Sequence, residues 1–227
     1  MKFSTLLASA LASASASASA STCNPNTLNT TTYLYPITKE NTTVADVAKL
    51  TNRGLCDIGR QNLMADVTIT PNVGQQLVIP PETCTPDDTS CLVPTSGQTR
   101  TCIYGGPRLY YTVNGDTYEK IAQRLNITTE SLTSTGPGGA ASATEVLAAG
   151  QYVKVPLCEP SECVLKPYEF SEGVYKDLAD RFGSTVGQLM MLSPTYNYSQ
   201  SLMEESGYPT VNVLVNCTVG RNVTVLT

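Results

Sequence analysis

The residues best placed to do chemistry in this 227-residue chain are two adjacent acid pairs, Asp87-Asp88 and Glu204-Glu205, eight cysteines, and two glycine turns, Gly115-Asp116-Thr117 and Gly136-Pro137-Gly138-Gly139. Two carboxyls flanking a glycosidic bond can cleave it, one as acid and the other as base or nucleophile. Neither pair stands in an apolar segment that would lift one pKa, so both read as solvated loop acids. Histidine is absent, which removes the usual Ser-His and Cys-His nucleophiles. Without histidine or a Cys-x-x-Cys pair the cysteines do not form a zinc site, and no metal or other cofactor is expected. The Gly136 turn lacks the following Lys-Ser/Thr of a phosphate cradle. This is the inventory of a binding protein rather than an enzyme.

The elements around these residues repeat. The middle copy runs from Tyr111-Thr112-Val113-Asn114-Gly115-Asp116-Thr117 through Ile121-Ala122 to Gly150-Gln151-Tyr152-Val153-Lys154-Val155-Pro156. Upstream, Tyr35, Ile37 and Val47-Ala48 lead to Gly74-Gln75-Gln76-Leu77-Val78-Ile79-Pro80. Downstream, Tyr168 to Val174 and Leu178-Ala179 keep the register, but the copy ends at Val211-Asn212-Val213 without Gly-Gln or Pro. In the middle copy, alternation at Tyr111 and Val113 predicts a strand, and Gly-Asp-Thr a turn into a helix. Asp116 or Thr117 caps that helix, with Glu119 as the acidic partner of a capping box. Ile121, Ala122 and Leu125 face inward. A second helix starts at Thr128 or Thr129 and carries Leu132 inward as far as Gly136-Pro137; Val153 and Val155 form the closing strand. The expected fold class is α+β: three tandem βααβ units at 33–82, 108–157 and 166–217. A turn-rich segment with three cysteines separates the first two, a tight linker from Cys158 to Leu165 the last two, and 218–227 is a polar, valine-rich tail.

Units of about 50 residues bury little apolar surface. All eight cysteines (Cys23, Cys56, Cys84, Cys91, Cys102, Cys158, Cys163 and Cys217) are therefore expected in disulfides. Their connectivity is open, with Cys163 and Cys217, which bracket the third unit, the favoured pair. Residues 1–20 read as a secretory signal: Lys2, an apolar stretch from Phe3 to Ala12, and a small-residue cleavage site at Ala18-Ser19-Ala20 or Ala16-Ser17-Ala18. Sequons at Asn29, Asn41, Asn126, Asn197 and Asn222 are expected glycan sites, whereas Asn216 has Cys217 in the middle position. A net charge of −5 without a basic cluster argues against nucleic acid or anionic membrane as partner.

The frame Y-x-V-x-G-D-T at one end and G-Q-x-V-x-V-P at the other resembles the LysM module, a βααβ unit that binds N-acetylglucosamine polymers. Three such units with cysteines between them and a signal peptide are similar to the secreted LysM effectors of fungi. The resemblance implies chitin and chitin oligomers as partners, held between the loop after the first strand and the loop before the last. It also allows two grooves to clasp one chain, and self-association on chitin. The positions it assigns are Gly115, Asp116, Thr117, Tyr118, Thr135, Gly136 and Pro137 in the second unit. In the first unit they are Asn41, Thr42, Thr43, Asn62, Asp66 and Ile69. In the third they are Gly173, Tyr175, Ser193 and Pro194, with Val174 replacing the threonine of Gly-Asp-Thr. The intact motif makes the second unit the expected main binder, and glycans on Asn41 and Asn197 would hinder the outer grooves. The implied task is to hide chitin fragments from a host or to coat hyphal walls against chitinases. The alternatives are a structural wall protein and a disulfide-rich interaction scaffold.

Overall fold

The computed structural model describes residues 23–134, 142–194, 196 and 207–227. The signal segment, Thr135, Gly136, Pro137, Asn197 and the Glu204-Glu205 pair lie outside the described residues. After a short 3-10 turn, strand β1 (Tyr33–Pro36), helices α1 (Val44–Thr51) and α2 (Leu55–Gln61) and strand β2 (Gln76–Ile79) form a first strand-helix-helix-strand unit. β1 and β2 are antiparallel, with Tyr33 opposite Ile79 and Pro36 opposite Gln76. Strand β3 (Ile103–Tyr104) precedes a second unit of β4 (Leu109–Tyr111), α3 (Tyr118–Leu125), α4 (Thr129–Thr133) and β5 (Tyr152–Lys154), closed by the antiparallel pair β4-β5. β6 (Leu157–Glu169), α5 (Tyr175–Phe182), α6 (Val186–Leu192) and β7 (Thr210–Leu226) make the third.

The three units share one pattern of helix ends. The first helix is capped at Thr43, Thr117 or Val174, ends on a left-handed residue at Asn52, Asn126 or Gly183, and the next helix is capped at Gly54, Thr128 or Thr185. The intervals are identical in all three. Asparagine and glycine are the residues that take the left-handed conformation most readily, which is why they stop each helix. Thr43 forms a capping box: its hydroxyl accepts from Asp46 N–H at 3.1 Å, and Asp46 accepts from Thr43 N–H at 3.0 Å. In the second unit Thr117 is the cap, accepting from Lys120 N–H at 3.2 Å. Glu119 is not its capping partner; its own N–H donates to Ala143 O at 3.0 Å. Val174 has no hydroxyl, and Asp177 alone takes the Val174 N–H.

The expected linker from Cys158 to Leu165 and the expected tail are both strand. β6 and β7 run antiparallel from Leu157 opposite Leu226 to Glu169 opposite Thr210, and β3 pairs in parallel on the other edge of β6. Alternating valines at 211, 213, 215, 219, 223 and 225 supply the β propensity. Disulfides Cys102–Cys158 and Cys163–Cys217 staple this sheet, the second being the pair favoured from sequence; Cys23–Cys84 and Cys56–Cys91 hold the first unit. One apolar core runs through all three units, from Ile37, Val47 and Ile58 through Tyr110, Ile121 and Leu125 to Phe170, Leu189 and Val213. Units too small to be stable alone thus bury their faces against one another.

Candidate ligand groove

Most side chains that were expected to meet a ligand at the second unit are committed to structure. Gly115 has φ +80, and a Cβ there would meet nothing closer than the Lys120 ammonium at 3.8 Å, so the need for glycine is the turn itself. Asp116 is fully buried, accepts from Val113 N–H at 2.8 Å and pairs with Arg124. Thr117 is buried at the cap, and Tyr118 packs half-buried against the core. Across the turn, Leu147 N–H donates to Asp116 O at 2.8 Å, so with the Glu119–Ala143 bond the two loops of this unit close on each other.

The first unit divides. Asn41 is exposed at φ +60, and Thr42 donates to Lys39 O at 2.9 Å. Asn62 is fully buried: its amide donates to Ile58 O and Val78 O, and its carbonyl accepts from Val78 N–H, each at 2.8 Å. This asparagine splices α2 to β2. Asn62→Leu should strand those backbone groups at about 1–3 kcal/mol each, read as a lower melting temperature. Asp66 is also buried, and accepts from Arg124 Nε at 2.6 Å and from Thr68 N–H and Oγ1 at 2.8 Å. In the third unit Gly173 has φ +87, with the Asp177 carboxylate 2.9 Å from where a Cβ would stand. The Tyr175 N–H donates to Met64 O at 3.2 Å and the Tyr196 hydroxyl to Leu63 O at 2.6 Å. The loops of the third unit therefore grip the backbone of the first.

What these contacts leave open is a groove of about 400 Å³ where the three units meet. The first unit contributes Ile69, Thr70, Asn72 and Gln75; the second, Tyr111 to Asn114 with Ala149 and Gly150; the third, Tyr175, Met190, Ser193, Pro194 and Tyr196. Four expected positions, Ile69, Tyr175, Ser193 and Pro194, are thus brought together from two units. No side chain on this wall is an acid, a lysine, an arginine or a histidine, among the described residues. The wall is amide, hydroxyl, aromatic and aliphatic. Tyr175 and Tyr196 stack with ring centres 5.4 Å apart. Burial raises the pKa of both phenols, with Tyr196 adding to the rise at Tyr175, so both stay protonated at neutral pH. The Tyr175 hydroxyl, beside Ser193, is buried and makes no hydrogen bond that would satisfy it.

Two walls of the groove are held by one residue that the sequence did not single out. Arg124, 3% exposed, bonds Asp66 of the first unit, Asp116 and the Tyr110 hydroxyl (2.9 Å) of the second, and Thr68 Oγ1 at 3.3 Å. An arginine at a helix end ordinarily reads as solvated. The signal was its place on the buried face of α3 beside Ile121 and Leu125. Burial pushes the Asp66 pKa up, but the Arg124 charge and the Thr68 bonds outweigh it, and the carboxyl titrates below its ordinary value. A native pKa below the unfolded value of about 3.9 means stability that is full above that range and is lost as pH falls through the native pKa. Unfolding midpoints should therefore drop steeply below about pH 4, and Asp66→Asn should flatten that acid limb.

The LysM domain family matches residues 110–156. The secreted LysM effector LysM13 of Penicillium expansum is 40% identical over 227 residues, 99% of this chain and 96% of that one. Secreted LysM effector ECP6 of Passalora fulva is 31% identical over 76% of this chain and 75% of its own length. Secreted LysM effector ELP2 of Colletotrichum higginsianum is 41% identical over 53% of this chain and 65% of its own. With a LysM motif in its middle unit and 40% identity to such a relative over nearly its full length, this chain belongs to the secreted LysM effectors.

Proposed function

We propose that the secreted protein binds chitin and its N-acetylglucosamine oligomers, without hydrolysing them, in the groove where the three units meet. The observation that carries this is the uncharged wall. A neutral polymer with an acetamide on every sugar needs amides and hydroxyls to bond and aromatic or aliphatic surface for its methyl and ring faces. Among the described residues the same wall offers no acid-base pair, which supports binding without turnover. The outer units, whose helix caps fall at the intervals of the middle one, are read as LysM modules with drifted loops. On this reading 33–82, 108–157 and 166–217 are the three modules and 1–20 is the signal that export removes. Long chains that emerge from the groove can meet a second protein molecule, which would give self-association on chitin.

The biological role that follows is to keep chitin fragments from host receptors or hyphal walls from chitinases. A structural wall protein would use the same groove, and only a chitin-triggered immune assay separates the two. The test of ligand class is depletion from solution over chitin, cellulose, xylan and peptidoglycan. Selective loss to chitin with no release of soluble sugar is expected; equal retention on all four, or turnover of the oligomer, overturns the reading.

A further inference from the structure

We propose that Asn126 carries an N-glycan whose first sugars lie in a trough on the protein itself, sealing the disulfide-bearing linker against the second and third units. Asn126 is exposed and left-handed (φ +53) at the end of α3. It borders two clefts of about 330 and 380 Å³ that share Ala179, Asp180, Ser184 and Thr185. The two are halves of one trough with Asn126 at its middle, and each falls in the usual size range of a small-ligand cleft. Pro94 and Gln98 of the linker wall one half; the other has Tyr104, with the Arg100 guanidinium 4.9 Å over its ring. Arg100 also donates to Asn126 O at 3.2 Å. Along the shared wall the Ser184 hydroxyl is buried without a hydrogen bond. The Tyr104 ring and the Asp180 carboxylate, which is paired with Lys176 yet 65% exposed, are what a pyranose ring uses.

The occupant is argued from the tether. A sugar attached to Asn126 Nδ2 enters the trough at an effective concentration that no free ligand reaches. The attachment precedes folding, because in the folded chain the Thr128 hydroxyl of the sequon is engaged with Ser131 and its N–H with Arg100 O. In that step Asn126 Nδ2 bonds to C1 of a lipid-diphosphate-linked oligosaccharide. The C1–O bond to the diphosphate breaks, and the amide proton leaves with it.

The test uses the full chain secreted from a yeast that N-glycosylates. Peptide mapping should find Asn126 occupied. Peptide-N-glycosidase should release this glycan at least tenfold more slowly from native protein than from denatured protein, and Tyr104→Ala should abolish that difference. Tyr104 contributes only its backbone carbonyl to Gln188, so the change spares that bond. Asp180→Ala, at an exposed position, serves as the second variant, with the same loss of protection expected. An unoccupied Asn126, native release as fast as denatured, protection that survives both variants, or slow release at Asn216 instead would each overturn the proposal.

Discussion

Arg124→Met is expected to destabilise the protein by about 3–5 kcal/mol, the usual consequence of removing one partner from a buried ion network. In a chain of this size that is roughly 6–20 °C of melting temperature. The substitution keeps the volume and the apolar stem. It leaves two buried carboxylates, Asp66 and Asp116, and the Tyr110 hydroxyl without their common donor. The triple change Arg124→Met, Asp66→Asn, Asp116→Asn should recover most of the loss, because the uncompensated charge is then gone. If Arg124→Met alone melted like the parent, the pin between the first and second units would be decoration. The same network makes Asp116→Ala a poor probe of ligand contact: binding would fall with stability, and melting must be followed beside it.

The second large effect is on binding alone. Ala149 is exposed on the groove wall. Ala149→Trp should fill the groove and weaken the binding of chitin oligomers at least tenfold, about 1.4 kcal/mol, with melting unchanged. Changes at Thr42 should do far less, since it donates to Lys39 O in an exposed loop and does not line the groove. A tryptophan at 149 that left affinity intact would put the polymer elsewhere.

Local structure was the legible part of the sequence. Gly115 and Thr117 mark the turn and cap of α3, Ile121, Ala122 and Leu125 its buried face, and Val153 the strand that closes the unit. These depend on neighbours a few residues apart. The strand character of 158–165 and 218–226 was hidden because each half reads as a polar segment until it is paired with the other across the hairpin. The site was less legible for the same reason, over longer range. Asp66 and Asp116 are 50 residues apart and share one arginine; Leu63 and Tyr196 meet through a single hydrogen bond. Nothing in the register of one repeat says that its loops will be closed by another. Tyr111, expected in the first strand of the middle unit, stands half-buried at the groove in an edge-to-face pair with Tyr152, ring centres 5.3 Å apart. Tyr196 and Asn72, which no repeat position singled out, line it too.

The central claim is that the three units build one composite groove rather than three separate ones. Calorimetric titration of the full secreted protein with a chitin hexamer tests it most directly. One hexamer per chain, with the heat abolished by Ala149→Trp, is the predicted result; three independent sites, or an isotherm that Ala149→Trp leaves unchanged, would contradict it.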